Sequence, residues 1–202
     1  MRTFLENIDQ QIVCAINGWN TPWLDECMWL VSGKLTWIPL YLFLIVLAFR
    51  KLDKRAFIAF VIFSIAGVAL ADLLSVHAFK NVFLRYRPSH NLDISNQLHF
   101  YQLKSGEFYR GGMYGFVSSH AANISAIAFG SLLVLRRYAW YLKPILICAV
   151  LLISFSRIYL GVHYFSDVLV GATLGVFVSF SLYKLFFQNY LTTSSTVKTT
   201  SD

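Results

Sequence analysis

The chain has 202 residues, the length of a single domain, with a formal net charge of +7. Hydrophobic residues make up 57% of it and charged residues only 13%, a balance that excludes an ordinary water-soluble domain and points to solvation by lipid. The surplus of Lys and Arg then reads as the orientation signal of membrane spans rather than as a nucleic-acid surface, and no nucleic-acid partner is expected.

From the amino end, Phe4, Leu5, Ile8, Ile12, Val13, Ala15 and Ile16 recur at helical spacing among Glu6, Asn7, Asp9, Gln10 and Gln11. This predicts an amphipathic helix, too polar to span, lying in the membrane interface. Glu6 and Asp9 also interrupt the apolar core that a cleaved signal peptide would need. Thr21-Pro22 ends the helix. Five stretches then qualify, or nearly so, against the about 20 apolar residues that a bilayer requires: residues 28–49, 56–79, 118–135, 144–159 and 167–187.

Lys34 falls in the first stretch, where it either snorkels or reaches a head group. Asp72 and His77 fall in the second and read as structural polar contacts. Gly171 and Gly175 form a small-xxx-small pair in the last, read as a close helix contact within the bundle. Cys14, Cys27 and Cys148 lack metal-ligand or redox spacing and read as bystanders. Residues 191–202, rich in Ser and Thr, read as a disordered tail outside one membrane domain of residues 1–190. The expected fold is all-α: a polytopic membrane helical bundle of about five transmembrane helices plus the interfacial amino-terminal helix.

Charge in the turns orients the bundle. Arg50, Lys51, Lys54 and Arg55 follow the first span, and Arg136, Arg137 and Lys143 follow the third. The positive-inside rule places both turns in the cytoplasm. Residues 80–117 and the turn 159–166 then lie outside. The long outer loop carries Leu98, Phe100, Tyr101, Phe108, Tyr109 and Tyr114, the character of an interfacial lid or binding element. His90 and His99 within it read as solvated.

Three polar blocks fall on that outer side. Lys80 precedes Arg87-Pro88 by six residues, Ser118-Ser119-His120 opens the third span, and Ser156-Arg157 is followed by His163 and Asp167. Lys80, Arg87 and Arg157 are three fixed cations suited to the equatorial oxygens of a phosphate, bidentate in the case of Arg. Ser118 adds a hydroxyl, and the amides around Ser119 add helix-terminal donors. His163 and Asp167 are four residues apart, so on a helix they share a face and the carboxylate fixes the imidazole tautomer. His163 is then the nucleophile, passing through a phosphohistidine, and His120 the general acid and later base. No carboxylate cluster suited to magnesium accompanies them, so no metal or other cofactor is expected.

These blocks resemble the signature of the type 2 phosphatidic acid phosphatase superfamily, which also includes vanadium haloperoxidases and bacterial acid phosphatases. Its pattern is Lys, six residues, Arg-Pro; Pro-Ser-Gly-His; and Ser-Arg, five residues, His, three residues, Asp. The first and third blocks match at every fixed position, while Val117 stands in place of Pro and Ser119 in place of Gly. The resemblance implies a metal-independent helical bundle. It implies phosphate binding by Lys80, Arg87, Ser118, Ser119 and Arg157, with His120 as acid, His163 as nucleophile and Asp167 as its orienter. The implied activity is hydrolysis of a lipid phosphate or diphosphate at the outer face of a bacterial inner membrane, without an obligatory protein partner. An outward site suits undecaprenyl diphosphate first, with phosphatidylglycerol phosphate, phosphatidic acid or lipid A phosphates as alternatives. A haloperoxidase, lacking here its extended soluble scaffold, and a non-catalytic phospholipid-binding or transport protein are more distant readings.

Overall fold

The computed structural model describes residues 2–192; the expected tail from residue 193 onward lies outside the described residues. The helices run α1 (Arg2–Asn17), α2 (Pro22–Ser32), α3 (Ile38–Lys51) and α4 (Lys54–Leu74), which continues through a π-turn (Ser75–Lys80) into the single turn α5 (Asn81–Phe83). After a long loop come α6 (Ser119–Leu135), α7 (Leu142–Tyr159), α8 (Phe165–Leu182), a second π-turn (Tyr183–Phe187) and α9 (Gln188–Thr192). Lys54–Phe83, Leu142–Tyr159 and Phe165–Tyr190 are each long and apolar enough to cross a bilayer. The outward faces are apolar: Ile65 is 65% exposed and Phe177 64%, which is tolerable only where lipid is the solvent. The protein is a multi-pass membrane bundle.

The expected first span, residues 28–49, is broken. The axis bends by 71° between Pro22–Ser32 and Leu35–Lys51. Gly33 is extended (φ −70°, ψ 135°), and Pro39 at the start of α3 lacks the amide that would continue the ladder. Carbonyls freed at the bend need partners inside a membrane. Trp37 Nε1 donates to the Val31 carbonyl at 2.8 Å, and the Thr36 hydroxyl donates to Leu30 O. Hydropathy averages straight through this break because both halves are apolar.

Helix α6 sits at the centre, against α3, α4, α7 and α8. Glycines bring α8 onto it: a Cβ at Gly171 would lie 2.5 Å from Ser118 O, and one at Gly175 would lie 2.1 Å from Ala122 O. The small-xxx-small pair is thus an intrachain contact, and it presses the start of α8 onto the start of α6. At the opposite end, Leu52, Ala56, Leu135 and Leu142 share one buried cluster, bringing the two basic turns together.

Helix α1 forms as expected, yet its polar residues do more than face an interface. Asp9, Val13 and Asn17 recur every four residues and are 4%, 0% and 2% exposed. Asn17 donates to His99 O at 2.8 Å and to Tyr159 O at 2.7 Å, so α1 is tied to the outer loop and to α7. The loop itself is packed: Ile94, Leu98 and Phe100 are buried with Val13, Ile158 and Val168. His99 is solvent-exposed as expected, and its Nε2 also lies 2.9 Å from Asp25 Oδ2.

Candidate active site

The three blocks, distant in sequence, are joined pairwise. Lys80 Nζ donates to Ser119 Oγ at 2.6 Å, Arg87 Nη1 lies 3.2 Å from His163 Nε2, and the Ser118 amide donates to Asp167 O at 2.9 Å. All eight candidate residues gather where the ends of α4 and α7 meet the starts of α6 and α8.

The π-turn places Lys80. Extra width in the helix turns Ser75 toward α6, where its Oγ lies 2.6 Å from Ser119 Oγ, and Ser75 donates to Asp72 O at 2.8 Å. Since Lys80 can only donate, the hydrogen bonds run one way, from Lys80 to Ser119 to Ser75 to Asp72 O. Ser119, which replaces a glycine in the resembling pattern, therefore tethers the lysine. Ser118, fully buried, caps α6 with its hydroxyl facing Ala121 N at 3.5 Å. Its own amide is spent on Asp167, so an anion at this helix end is left with the first-turn amides that follow.

His163 lies in the turn before α8, not on a helix with Asp167 as the four-residue spacing suggested. Asp167 occupies the first turn of α8, and its Oδ2 accepts from Tyr164 N at 2.9 Å, a favourable place for a carboxylate at a helix start. His163 Nδ1 is 3.5 Å from that same oxygen, an ion-pair distance rather than a formed hydrogen bond. The imidazole is 1% exposed. Burial holds its pKa well below the ordinary histidine value, and the Arg87, Arg157 and Lys80 charges push it in the same direction. The ring is neutral at pH 7, and because Arg87 can only donate, Nε2 is the acceptor nitrogen and Nδ1 carries the proton that faces Asp167. Arg87 donates to Tyr114 O at 3.1 Å and to Val162 O at 3.3 Å, and its pKa is lowered to about 10 by burial and by Arg157, leaving it a cation.

Arg157 is 2% exposed. It donates through Nη2 to Tyr109 Oη at 3.0 Å and through Nη1 to Ser32 Oγ at the bend after α2. Its Nε is buried without an acceptor among the described residues. His120, one residue into α6, lines a cavity of about 280 Å³ together with Lys34, Asp72, Ser119 and Asn123. Apolar side chains, Trp37, Tyr41 and Val68 among them, complete its wall.

Sequence reasoning missed a second tier behind Asp167. Arg85 donates to Asp167 Oδ1 at 2.8 Å, to Asp9 Oδ2 at 2.7 Å and to Ser166 Oγ at 2.7 Å. Burial works against its charge, but Asp167 and Asp9 outweigh that and raise its pKa. The available signals were an acid on the otherwise buried row Asp9–Val13–Asn17 and a third cation inside the first block's gap. Ser32 and Tyr109, which hold Arg157, carried no local signal.

Comparison with known proteins bears on the family and the fold. Residues 57–191 match the model of the PAP2 superfamily. A lipid A 4'-phosphatase of Porphyromonas gingivalis is 32% identical over 91% of this chain and 75% of its own length. One from Bacteroides thetaiotaomicron is 30% identical over 91% and 79%. The fold is shared with the crystal structure of a transmembrane PAP2-type phosphatidylglycerolphosphate phosphatase from Bacillus subtilis: TM-score 0.65, 20% identity, 92% of this chain and 87% of that one. The family model matched over residues 57–191, and relatives 30% and 32% identical over 91% of the chain, lead to one assignment: this chain is a membrane-spanning member of the PAP2 superfamily.

Proposed function

We propose that this protein hydrolyses a phosphate monoester of a lipid A-type glycolipid. The observation that carries the phosphatase reading is the buried, neutral His163, with Arg87 on Nε2 and Asp167 behind Nδ1. In this reading Lys80, Arg87 and Arg157 hold the phosphate oxygens, assisted by the Ser118 hydroxyl and the amide of Ser119, and the buried Arg157 Nε gains its missing acceptor. Arg87 moves from Nε2 to a phosphate oxygen, the freed Nε2 of His163 attacks phosphorus, the ester P–O bond breaks, and the leaving oxygen takes a proton from protonated His120. Asp167 stabilises the charge that forms on the ring. Neutral His120 then takes a proton from water, whose oxygen attacks phosphorus, breaks the P–N bond and releases inorganic phosphate. Charge neutralisation rests on the three cations, without a metal.

The choice of lipid rests on the two relatives spanning 91% of this chain, both lipid A 4'-phosphatases. It displaces undecaprenyl diphosphate, which the sequence alone placed first. The basic turns support a cytoplasmic location for their end of the bundle, hence an outward site in the inner membrane. Residues 1–190 act as one domain, with the tail dispensable. The test is phosphate release by purified protein in detergent with excess EDTA, from lipid A, undecaprenyl diphosphate, phosphatidylglycerol phosphate and phosphatidic acid. The expected result is fastest release from lipid A, undiminished by EDTA. Loss of activity restored by magnesium or zinc would reject the metal-free mechanism, and preference for the prenyl diphosphate would reject the substrate.

A further inference from the structure

Below the lysine tether, α4 and α6 make a second polar contact that the phosphate chemistry does not use. Ser75 meets Ser119 in the upper layer, and Asp72 meets Asn123 in the next, with Asn123 Nδ2 donating to Asp72 Oδ1 at 3.2 Å. Asp72 is three residues back along α4 and Asn123 four residues on along α6, so this layer lies about 4.5–6 Å deeper. That is one helical turn, comparable to the width of a hexose ring. Both residues line the same 280 Å³ cavity as His120.

His120 and Asn123 are three apart on α6 and share a face. An oxygen protonated by His120 is therefore the first atom of a group whose next atoms lie beside Asn123 and Asp72. A carboxylate here is poorly suited to the phosphate, which it repels, and an ionisable group this far into a membrane helix is costly unless it is used. What it does suit is a hydrogen-bond donor on the leaving group. Lys34, exposed at the α2–α3 bend, supplies the same cavity with a donor for acceptor oxygens.

We infer that Asp72 and Asn123 form a head-group subsite that hydrogen-bonds the hydroxyl or amide donors of a sugar leaving group, selecting glycolipid phosphates over lipids with no donor at that depth. The inference rests on the lipid-phosphatase reading above and deepens it to the recognised chemistry of the leaving group. A prenyl chain, or the ester-linked glycerol of phosphatidic acid, offers no hydrogen-bond donor to this layer and leaves Asp72 with Asn123 as its donor, whereas the hydroxyl and amide donors of a glucosamine ring add partners for the remaining carboxylate lone pairs. Sites built to pair a substrate donor discriminate strongly against analogues lacking it.

The test is the ratio of kcat/KM for lipid A to that for dioleoyl phosphatidic acid, in wild type, Asp72→Asn and Asn123→Ala. Asp72→Asn keeps the shape of the side chain, and Asn123→Ala guards against a folding failure in the first variant. The expected result is a fall in that ratio of about tenfold or more in each. An equal loss on both substrates would overturn the subsite and make the pair a support for Lys80. Wild type that hydrolyses phosphatidic acid but not lipid A would overturn the glycolipid reading itself, and the subsite with it. That outcome is read without any variant, so the two failures are distinguishable.

Discussion

His163 and His120, the two histidines of the candidate site, stand in surroundings of different construction. His163 is 1% exposed, with Arg87 at one ring nitrogen and Asp167 at the other, and Asp167 is itself held by Arg85 and the start of α8. His120 is half-buried on a cavity wall shared with Trp37 and Tyr41. In the proposed mechanism the difference suits their tasks. A nucleophile must present one nitrogen to phosphorus in a fixed direction, which a dense shell of partners enforces. An acid that meets the leaving group must leave room for whatever that group is. Both walls carry motif residues, His163 and Asp167 in the rigid one and Ser119 and His120 in the open one, and in the proposed function the open wall is where substrates are told apart.

The largest expected effect separates the two histidines. His163→Ala should lower turnover of every substrate by about 10⁴-fold or more and abolish a trapped phosphoenzyme, since no other group replaces the attacking nitrogen. His120→Ala should lose turnover on lipid but recover part of it on nitrophenyl phosphate, whose leaving group needs no proton. Rapid-quench labelling with radioactive substrate reads both. A phosphohistidine at His120, or full activity in His163→Ala, would overturn the assignment and leave only the phosphate-binding reading.

Arg85 tests whether the rigid wall depends on its second tier. Arg85→Ala removes a charge-assisted hydrogen bond to Asp167, typically worth about 1.5–3 kcal/mol, or roughly ten- to a hundredfold in rate. The loss should fall on kcat more than KM, because Arg85 reaches the carboxylate and not the pocket. Asp9→Asn should reproduce a smaller part of it, being one bond further away. A pure KM effect in Arg85→Ala would mean that Arg85 contacts substrate instead.

The two walls also differ in how readily the sequence betrays them. The motif blocks were legible because each packs its chemistry into a few residues at fixed spacing, and the helices because apolar runs of bilayer length have few other uses. Gly171 and Gly175 were legible as a contact because nothing larger fits there. Asp9 and Arg85 were not, since a pair separated by 76 residues leaves no local pattern. The bend at Gly33 was hidden because its flanks are both apolar, yet it brings Ser32 to Arg157 and Lys34 to the cavity. The π-turn before Lys80 has no composition of its own.

A pH profile probes the cause of His163's neutrality. Burial and neighbouring cations lower its pKa, so the acid limb of kcat/KM, which reports free enzyme, should lie below the ordinary histidine value. Arg87→Gln removes one of those charges, and the limb should move upward in pH, separately from the loss in rate. Stability carries the same sign. Below about pH 6.5 the unfolded chain protonates this histidine while the folded one resists. Stability is therefore full above that pH and falls as pH drops through the folded pKa. An acid limb that stays in place in Arg87→Gln would remove Arg87 from the causes and leave burial with Arg157 and Lys80.

The smallest effect belongs to the open wall. Ser119→Gly restores the residue usual in the family pattern and removes the hydroxyl that Lys80 and Ser75 share. Lys80 keeps its charge and reach but loses its tether, so its placement against phosphate becomes less ordered. A hydrogen bond to a charged group and the helix propensity of glycine both act against the variant, the latter by about 1 kcal/mol at most. The expectation is a several-fold drop in kcat/KM, with Ser119→Ala giving a similar drop at higher thermal stability. If Ser119→Gly instead gains activity while Ser119→Ala loses it, closer backbone approach to phosphate outweighs the tether. Lys80 would then be positioned by the π-turn alone.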